Sequence, residues 1–550
     1  MEPDAKSNDA VHPKCGLTPT RDHWHTQCVI CEFHLFPSVP ATLLILGLVL
    51  EVLGWGVKRS GRYPIPSLLR FTLWAVRPWM VWAAFNLFFR WRGEQGFNDR
   101  RTFPFFAGLW DPLASFGARL QQLWHTPSVW LWGGVTLLLL AALIVWLVWV
   151  LRAKPVRTVP ALMGLYLLTV ALHLSLASLP DGAWEKGHDS SLLSSWKAHT
   201  SMLYTVPYVN STYDYFSRFQ EIQPKLRATI HGLSHPPVAS LSLYWIGRVM
   251  GTRGEDIRDP ETRLRYSIGL TLFGALNVFL LYGLGRSLFS RETGFLAALL
   301  WATAPAVAVY AGFAQDPVYA VFFNLALLLG WHTVMSARRV VPAALGLGAT
   351  FFALTLLNYS WCLMTTIFAL FALVMGVRSR WSLKAYAVRI VLPLGVMTLF
   401  GGTFLLAFHL DYWAMYQFSQ QYVNCWYLFT GAYQWIMALL GGQMDLFLLL
   451  GSVTCSAFVV SLIRLRKTDW LEPRTLLLLM VLGVFALPLL FGPTCLKMET
   501  ARCWNWVASL PIAFAAAQLL RMKSRLFVIG AAVVSVLTTA GMRLFLTFAP

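Results

Sequence analysis

Long apolar runs separated by short polar turns cover most of this chain. About fourteen windows approach the roughly 17–25 residues that an α-helix needs to cross the hydrocarbon core. They begin with Pro40–Val57, Phe71–Phe89, Val129–Leu151 and Val159–Leu179, continue through Tyr266–Gly285, Thr293–Phe313, Val318–Met335, Val341–Leu357, Cys362–Val377 and Ile390–His409, and close with Ile436–Ile463, Leu476–Phe491, Val507–Leu520 and Leu526–Phe548. The runs are continuous rather than alternating, so helices are expected and a barrel is not: in lipid each segment must satisfy its own backbone groups. The predicted fold is an all-α polytopic membrane protein with about 13 transmembrane helices. One stretch breaks the pattern, Pro180 to Arg265, a polar insert between two apolar segments.

Charge then sets a topology. Lys and Arg gather in the short turns, as positive-inside retention requires. Arg152, Lys154 and Arg157 place the start of Val159–Leu179 in the cytosol, so that span delivers the insert to the opposite side. Pro236–Met250 is fifteen residues with Arg248 inside it, short for a crossing. If it lies in the interface, five later basic turns all become cytoplasmic: Arg286/Arg291, Arg338/Arg339, Arg378/Arg380/Lys384, Arg464/Arg466/Lys467 and Arg521/Lys523/Arg525. The same assignment gathers Asp316, the loops Leu410–Gln434 and Pro493–Arg502, and the junction at Asn358 on the extracytoplasmic face beside the insert. The expected organisation is a polar tail over 1–39, an appended membrane module over 40–128, and a main membrane domain over 129–550 with its large loop at 180–265. Within the module, Arg77 inside an apolar run and Arg90, Arg92, Arg100 and Arg101 after it conflict with the charge rule.

Composition narrows the function classes. The chain is 57% hydrophobic and 13% charged with a net charge of +19, but its bases sit in membrane turns rather than in a groove, so no nucleic-acid partner is expected. The 25 Trp fit interfacial belts and helix packing. No cleavable signal peptide is apparent before Pro40. The eight Cys form no disulfide framework. Cys15, Cys28, Cys31 and His34, with His23 and His25 nearby, only superficially resemble a zinc site, and a disordered tail or a disulfide reads better.

Candidate chemistry concentrates in the insert. Ser211-Thr-Tyr-Asp214 opens a short predicted helix ending before Pro224, with Phe216, Phe219 and Ile222 on one side and Asp214, Arg218 and Glu221 on another. Asp214 is either a reactive carboxylate aimed into a cavity or one member of a capping box and an i, i+4 pair with Arg218. Asp181, Glu185 and Asp189 are rival carboxylates. His231-x3-His235 has the spacing of a metal pair, but Pro236-Pro237 force extended backbone before them, which favours a rigid turn starting the interfacial helix and leaves the histidines to hydrogen-bond a phosphate or sugar. Asp316, before Pro317, caps the next span or binds a sugar hydroxyl or divalent ion. Arg502 suits an anion through its planar fork of donors, and Glu499 can pair with it. Asn210-Ser-Thr and Asn358-Tyr-Ser match the glycosylation sequon.

Tyr213-Asp214-Tyr-Phe216, His231 to Pro237, Arg286-Ser-Leu-Phe-Ser-Arg291-Glu-Thr-Gly294, Gln315-Asp316-Pro317 and Glu499-Thr-Ala-Arg502-Cys-Trp504 together resemble the GT-C membrane glycosyltransferases, the protein O-mannosyltransferase and aminoarabinose transferase group in particular. The resemblance runs from about Val159 to Leu520. It implies transfer from a polyprenyl-phosphate sugar donor to a glycan, lipid or protein acceptor. Asp214 would then be the general base, Asp316 a second acidic group at the catalytic site, and Arg502 a phosphate ligand, with His231, His235, Arg218 and Glu499 as substrate-binding residues. No cofactor is certain, a divalent cation stays open, and membrane lipids are the surrounding partners. The chain departs from the family in one respect: the carboxylate usually follows the first span closely, whereas Asp214 lies 35 residues beyond Leu179, which keeps Asp181 and Glu185 in play. A transporter or flippase of a lipid-linked substrate is the competing class. The spans are nearly free of acids, with Glu51 the clear exception and most of the remaining acids in loops, and no internal repeat is evident, which argues against it.

Overall fold

The computed structural model describes residues 48–52, 67–94, 124–152, 157–179, 203–228, 235–252, 259–312, 314–426, 450–466, 468–491 and 505–545. All regular structure among them is helical. In chain order the α-helices are α1 (Ser67–Glu94), α2 (Pro127–Arg152), α3 (Thr158–Ala177), α4 (Thr212–Ser217), α5 (Phe219–Ile222), α6 (Pro237–Val249), α7 (Pro260–Gly274), α8 (Asn277–Leu288), α9 (Arg291–Thr303) and α10 (Pro305–Ala308). They continue as α11 (Asp316–Met335), α12 (Val340–Leu357), α13 (Trp361–Arg378), α14 (Leu383–Tyr386), α15 (Leu392–Ala407), α16 (Tyr412–Trp426), α17 (Ser452–Ile463), α18 (Pro473–Phe491), α19 (Ser509–Arg521) and α20 (Arg525–Phe545). Eight described helices are long and apolar enough to cross a membrane, with α7–α8 and α14–α15 each acting as one continuous unit, and the chain is an integral membrane protein of the polytopic α class.

The centre of the bundle is built from α9 and α19. Every residue from Thr293 to Thr303 and from Ser509 to Leu519 is buried, so these helices have no lipid-facing stripe. Small residues let the neighbours approach. A Cβ on Gly294 would lie 2.6 Å from the Tyr282 carbonyl oxygen, and one on Gly285 would lie 3.0 Å from the Gly294 Cα, so α8 and α9 meet backbone to backbone. The predicted single span Thr293–Phe313 is interrupted instead. Pro305 holds Ala304 extended (φ −62°, ψ 128°), which ends α9, and the chain restarts as α10 before turning at Gly312 (φ +86°).

The basic turns are tied to one end. The Ser287 hydroxyl meets His332 Nε2 at 3.2 Å. Arg389, in a π turn between α14 and α15, donates to the carbonyls of Thr333, Val334 and Ser336 and so satisfies the C-terminus of α11. Arg474 sits over Phe289, whose ring packs edge-on against Phe514 of α19, and Arg378 donates to the Leu471 carbonyl.

Helix α1 is docked into this bundle. Phe71 and Trp74 meet Phe527 of α20 edge to face at 5.5 and 5.0 Å, and the Ser456 hydroxyl of α17 donates to the Trp74 carbonyl at 2.6 Å. Arg77 and Glu51, each anomalous in its own apolar run, form an ion pair with each other.

Candidate functional site

The described part of the insert folds as a short amphipathic unit. Ser211 is the N-cap of α4, its hydroxyl accepting the Asp214 N–H at 3.1 Å, which is the capping arrangement that the Ser-x-x-Asp spacing suggests. The predicted single helix breaks at Arg218 (φ −115°, ψ 10°) and resumes as α5, followed by a 3₁₀ segment over Gln223–Ala228. Phe216, Phe219 and Ile222 are buried, with Val209, Tyr215, Leu241, Leu410 and Met415 in the same cluster. The Phe216 ring meets Phe404 at 4.7 Å and Phe408 at 5.2 Å, so the insert is seated on the end of α15. Gln220 reaches the Asp411 carbonyl and Gln223 the Met415 carbonyl, at 3.5 and 3.4 Å.

On the opposite side lies the polar set. Arg218 faces Asp214 at 3.5 Å and Glu221 at 3.4 Å, while Asn210 Nδ2 donates to Asp214 Oδ2 at 3.3 Å. Glu221 first, and Asp214 with it, push the Arg218 guanidinium further above its ordinary value. The Asp214 side chain keeps 31% of its surface exposed, so the carboxylate is positioned by Asn210 and Arg218 and still reachable.

A second polar group forms at the other end of α6. Pro236 is its N-cap residue and Pro237 its first helical residue, as the Pro-Pro pair predicts. The half-buried His235 ring stacks on Tyr319 at 5.8 Å. Tyr319 donates to Gln315 Oε1 at 2.9 Å, and the Gln315 amide donates to the Ala239 carbonyl at 2.8 Å and to the Ser242 hydroxyl at 3.0 Å. Gln315 therefore clamps the start of α11 to the first turn of α6. One detail of the sequence reading changes: the N-cap of α11 is Gln315, and Asp316 occupies the first helical position, half-buried. There its charge complements the helix dipole.

α6 links the two groups. Its Leu241 shares the apolar cluster under α4, and Trp245 Nε1 donates to the Thr212 hydroxyl at 3.0 Å. The partners of Asp214 are Asn210, Ser211 and Arg218, so the carboxylate and the His235–Gln315 group are neighbours through α6 rather than in contact. His231, Glu499 and Arg502, and the rival carboxylates Asp181, Glu185 and Asp189, lie outside the described residues, as does the Cys15–His34 tail. Among the described residues no group of three or more His, Cys, Asp or Glu is gathered as a metal site would need.

Two features at this end were not singled out from sequence. Arg543, near the end of α20, is fully buried and donates to the Ala177 carbonyl at 3.0 Å, where the chain leaves α3 for the insert. The signal was available as a base inside an apolar run. The other is an aromatic group at the α12–α13 junction and the start of α16. Trp361 Nε1 donates to the Tyr412 hydroxyl and Tyr412 to the Thr355 carbonyl, both at 2.8 Å, with Tyr359 edge-on to Tyr412 and Tyr416 at 5.7 and 5.3 Å. Burial pushes the Tyr359 phenol up to about 12. Its partners are far apart in sequence, so no local pattern marks the group. Comparison with family models and with curated proteins finds no match to this chain.

Proposed function

We propose that this protein is a membrane glycosyltransferase of the GT-C kind, moving a sugar from a polyprenyl-phosphate donor to a hydroxyl of an extracytoplasmic acceptor. The observation that carries the reading is the arrangement around α6: a reachable carboxylate set between Asn210 and Arg218 is fixed on the same short helix as the His235–Gln315–Asp316 group. At thirteen residues α6 spans roughly 20 Å at 1.5 Å per residue, less than the hydrocarbon core, which suits an interfacial element. With α6 in the interface, the five basic turns from Arg286 to Arg525 all fall on the cytoplasmic side under the charge rule, which suits a fold of about 13 spans.

In the reaction, Asp214 takes the proton from the acceptor hydroxyl as that oxygen attacks the anomeric carbon. The bond between that carbon and the phosphate oxygen breaks, the electron pair leaves with the lipid phosphate, and the anomeric configuration inverts. Arginine neutralises the leaving group; Arg502 and Arg543 are the proposed anion ligands. Asp316 and His235 hold sugar hydroxyls, and the Tyr359–Tyr412–Tyr416 group offers faces for a sugar or lipid. The purified full chain, incubated with a panel of polyprenyl-phosphate sugars, tests the reading. Turnover with one donor, lowered about 10²–10⁴-fold in a folded Asp214→Asn variant, is the expected result. Full activity of that variant moves the base to Asp181, Glu185 or Asp189. A folded wild-type chain that turns over none of the donors overturns the proposal.

A further inference from the structure

The opposite end of the bundle carries a second site of different character. Where α2 ends, α19 ends and α20 begins, the helices leave a crevice of about 220 Å³. Its walls are apolar, formed chiefly by Leu147, Leu151, Leu519 and Val528. Its rim is Arg152, Lys523, Ser524 and Arg525, three cations and a hydroxyl with no carboxylate among the lining residues. The crevice therefore joins a greasy interior to a cationic mouth.

The backbone adds an independent observation. Lys523 sits at φ +54°, in the left-handed region, just past the end of α19. Glycine is the usual residue there, and an L side chain costs about 1–2 kcal/mol. A lysine is thus kept, in a strained conformation, at the rim of the crevice. The mouth also lies at the N-terminus of α20, a 21-residue helix whose first-turn N–H groups favour an anion.

We propose that this crevice binds one anionic glycerophospholipid from the leaflet bordering the basic turns. The headgroup phosphate lies among Arg152, Lys523 and Arg525 with Ser524 as a neutral donor, and an acyl chain runs along the leucine wall. Ordinary positive-inside retention needs basic turns but no apolar crevice beneath them. The Arg338–Arg339 turn, whose side chains are both exposed and line no part of this crevice, provides the contrast.

The test uses the full chain in nanodiscs of phosphatidylcholine alone or doped with phosphatidylserine, reading thermal unfolding and the lipid retained in native mass spectrometry. Phosphatidylserine is expected to raise the wild-type midpoint saturably and to leave one retained lipid. Lys523→Gly relieves the strained backbone while deleting a charge. It should match or exceed wild-type stability in phosphatidylcholine yet bind phosphatidylserine roughly fivefold more weakly, the effect of about one basic residue near the surface. Arg152→Gln/Arg525→Gln should weaken binding further, and Arg338→Gln/Arg339→Gln should leave it unchanged. Wild-type affinity in Lys523→Gly, or an equal loss in the Arg338/Arg339 variant, overturns the site in favour of diffuse surface attraction. Equal response to inorganic phosphate overturns the lipid as occupant. If the double variant does not fold, Lys523→Gly decides alone.

Discussion

Gly294 shows how little room the centre of this protein has. Its missing side chain lets the Tyr282 carbonyl approach to 2.6 Å of where a Cβ would stand, and backbone cannot swing aside as a flexible side chain can. Gly294→Ala should therefore lower stability by about 1–3 kcal/mol, read as a fall in the thermal midpoint of the detergent-purified protein. Gly395, with nothing within 4 Å of its Cβ position, is the control and should accept alanine without loss. A different residue-scale problem is solved by Arg77 and Glu51. Glu51→Gln removes the partner of a half-exposed guanidinium and should cost about 0.2–1 kcal/mol, while the double change Glu51→Gln/Arg77→Gln should recover most of that loss. Both charges were conspicuous in the sequence as exceptions within apolar runs, but their pairing was not. Nothing local links positions 26 apart in the chain.

The element whose placement matters most is α4. It is only six residues long, and an isolated helix of that length does not persist in water. What holds it is the Phe216–Phe404–Phe408 seam together with the Trp245–Thr212 hydrogen bond. Phe216→Ala removes the centre of that seam and is expected to cost about 3–5 kcal/mol locally. Limited proteolysis should then cut within 203–228 faster than in wild type while the thermal midpoint of the main bundle barely moves; an unchanged cleavage rate would mean the seam does not anchor the insert. The apolar side of this helix was legible because Phe216, Phe219 and Ile222 repeat at helical spacing. Its break at Arg218 was not, since no Pro or Gly announces it. The reverse holds for α9, where Pro305 was visible as a helix breaker, yet the surrounding run of apolar residues read as one span.

For the whole molecule, the all-helical polytopic fold was legible because lipid forces backbone bonding to be local and leaves long apolar runs as its trace. The candidate site was only partly legible: Ser211, Pro236 and Pro237 act through neighbours in sequence, whereas the Gln315 clamp, the Arg543–Ala177 bond and the Tyr359–Tyr412 group depend on segments brought together by folding. Sidedness can be tested through Asn210, an exposed sequon residue on the insert. Expressed in a eukaryotic host, the chain should carry an N-glycan whose mobility shift disappears in Asn210→Gln. Asn358→Gln should leave the shift intact, because Asn358 closes α12 with its side chain folded onto the Ser360 N–H at 2.8 Å. Absence of a shift, with a cysteine at Lys225 labelled only from the cytosolic side, would invert the topology.

The position of α20 has a consequence for biosynthesis. This helix leaves the ribosome after every other described helix, yet it supplies the Phe527 ring that meets both Phe71 and Trp74 of α1 and the guanidinium that grips the end of α3. Early segments of the nascent chain must therefore wait, laterally unsealed in the bilayer, until the last turn of α20 is made. Any chaperone or insertase that shelters unfinished membrane chains would hold these early segments until α20 has been made.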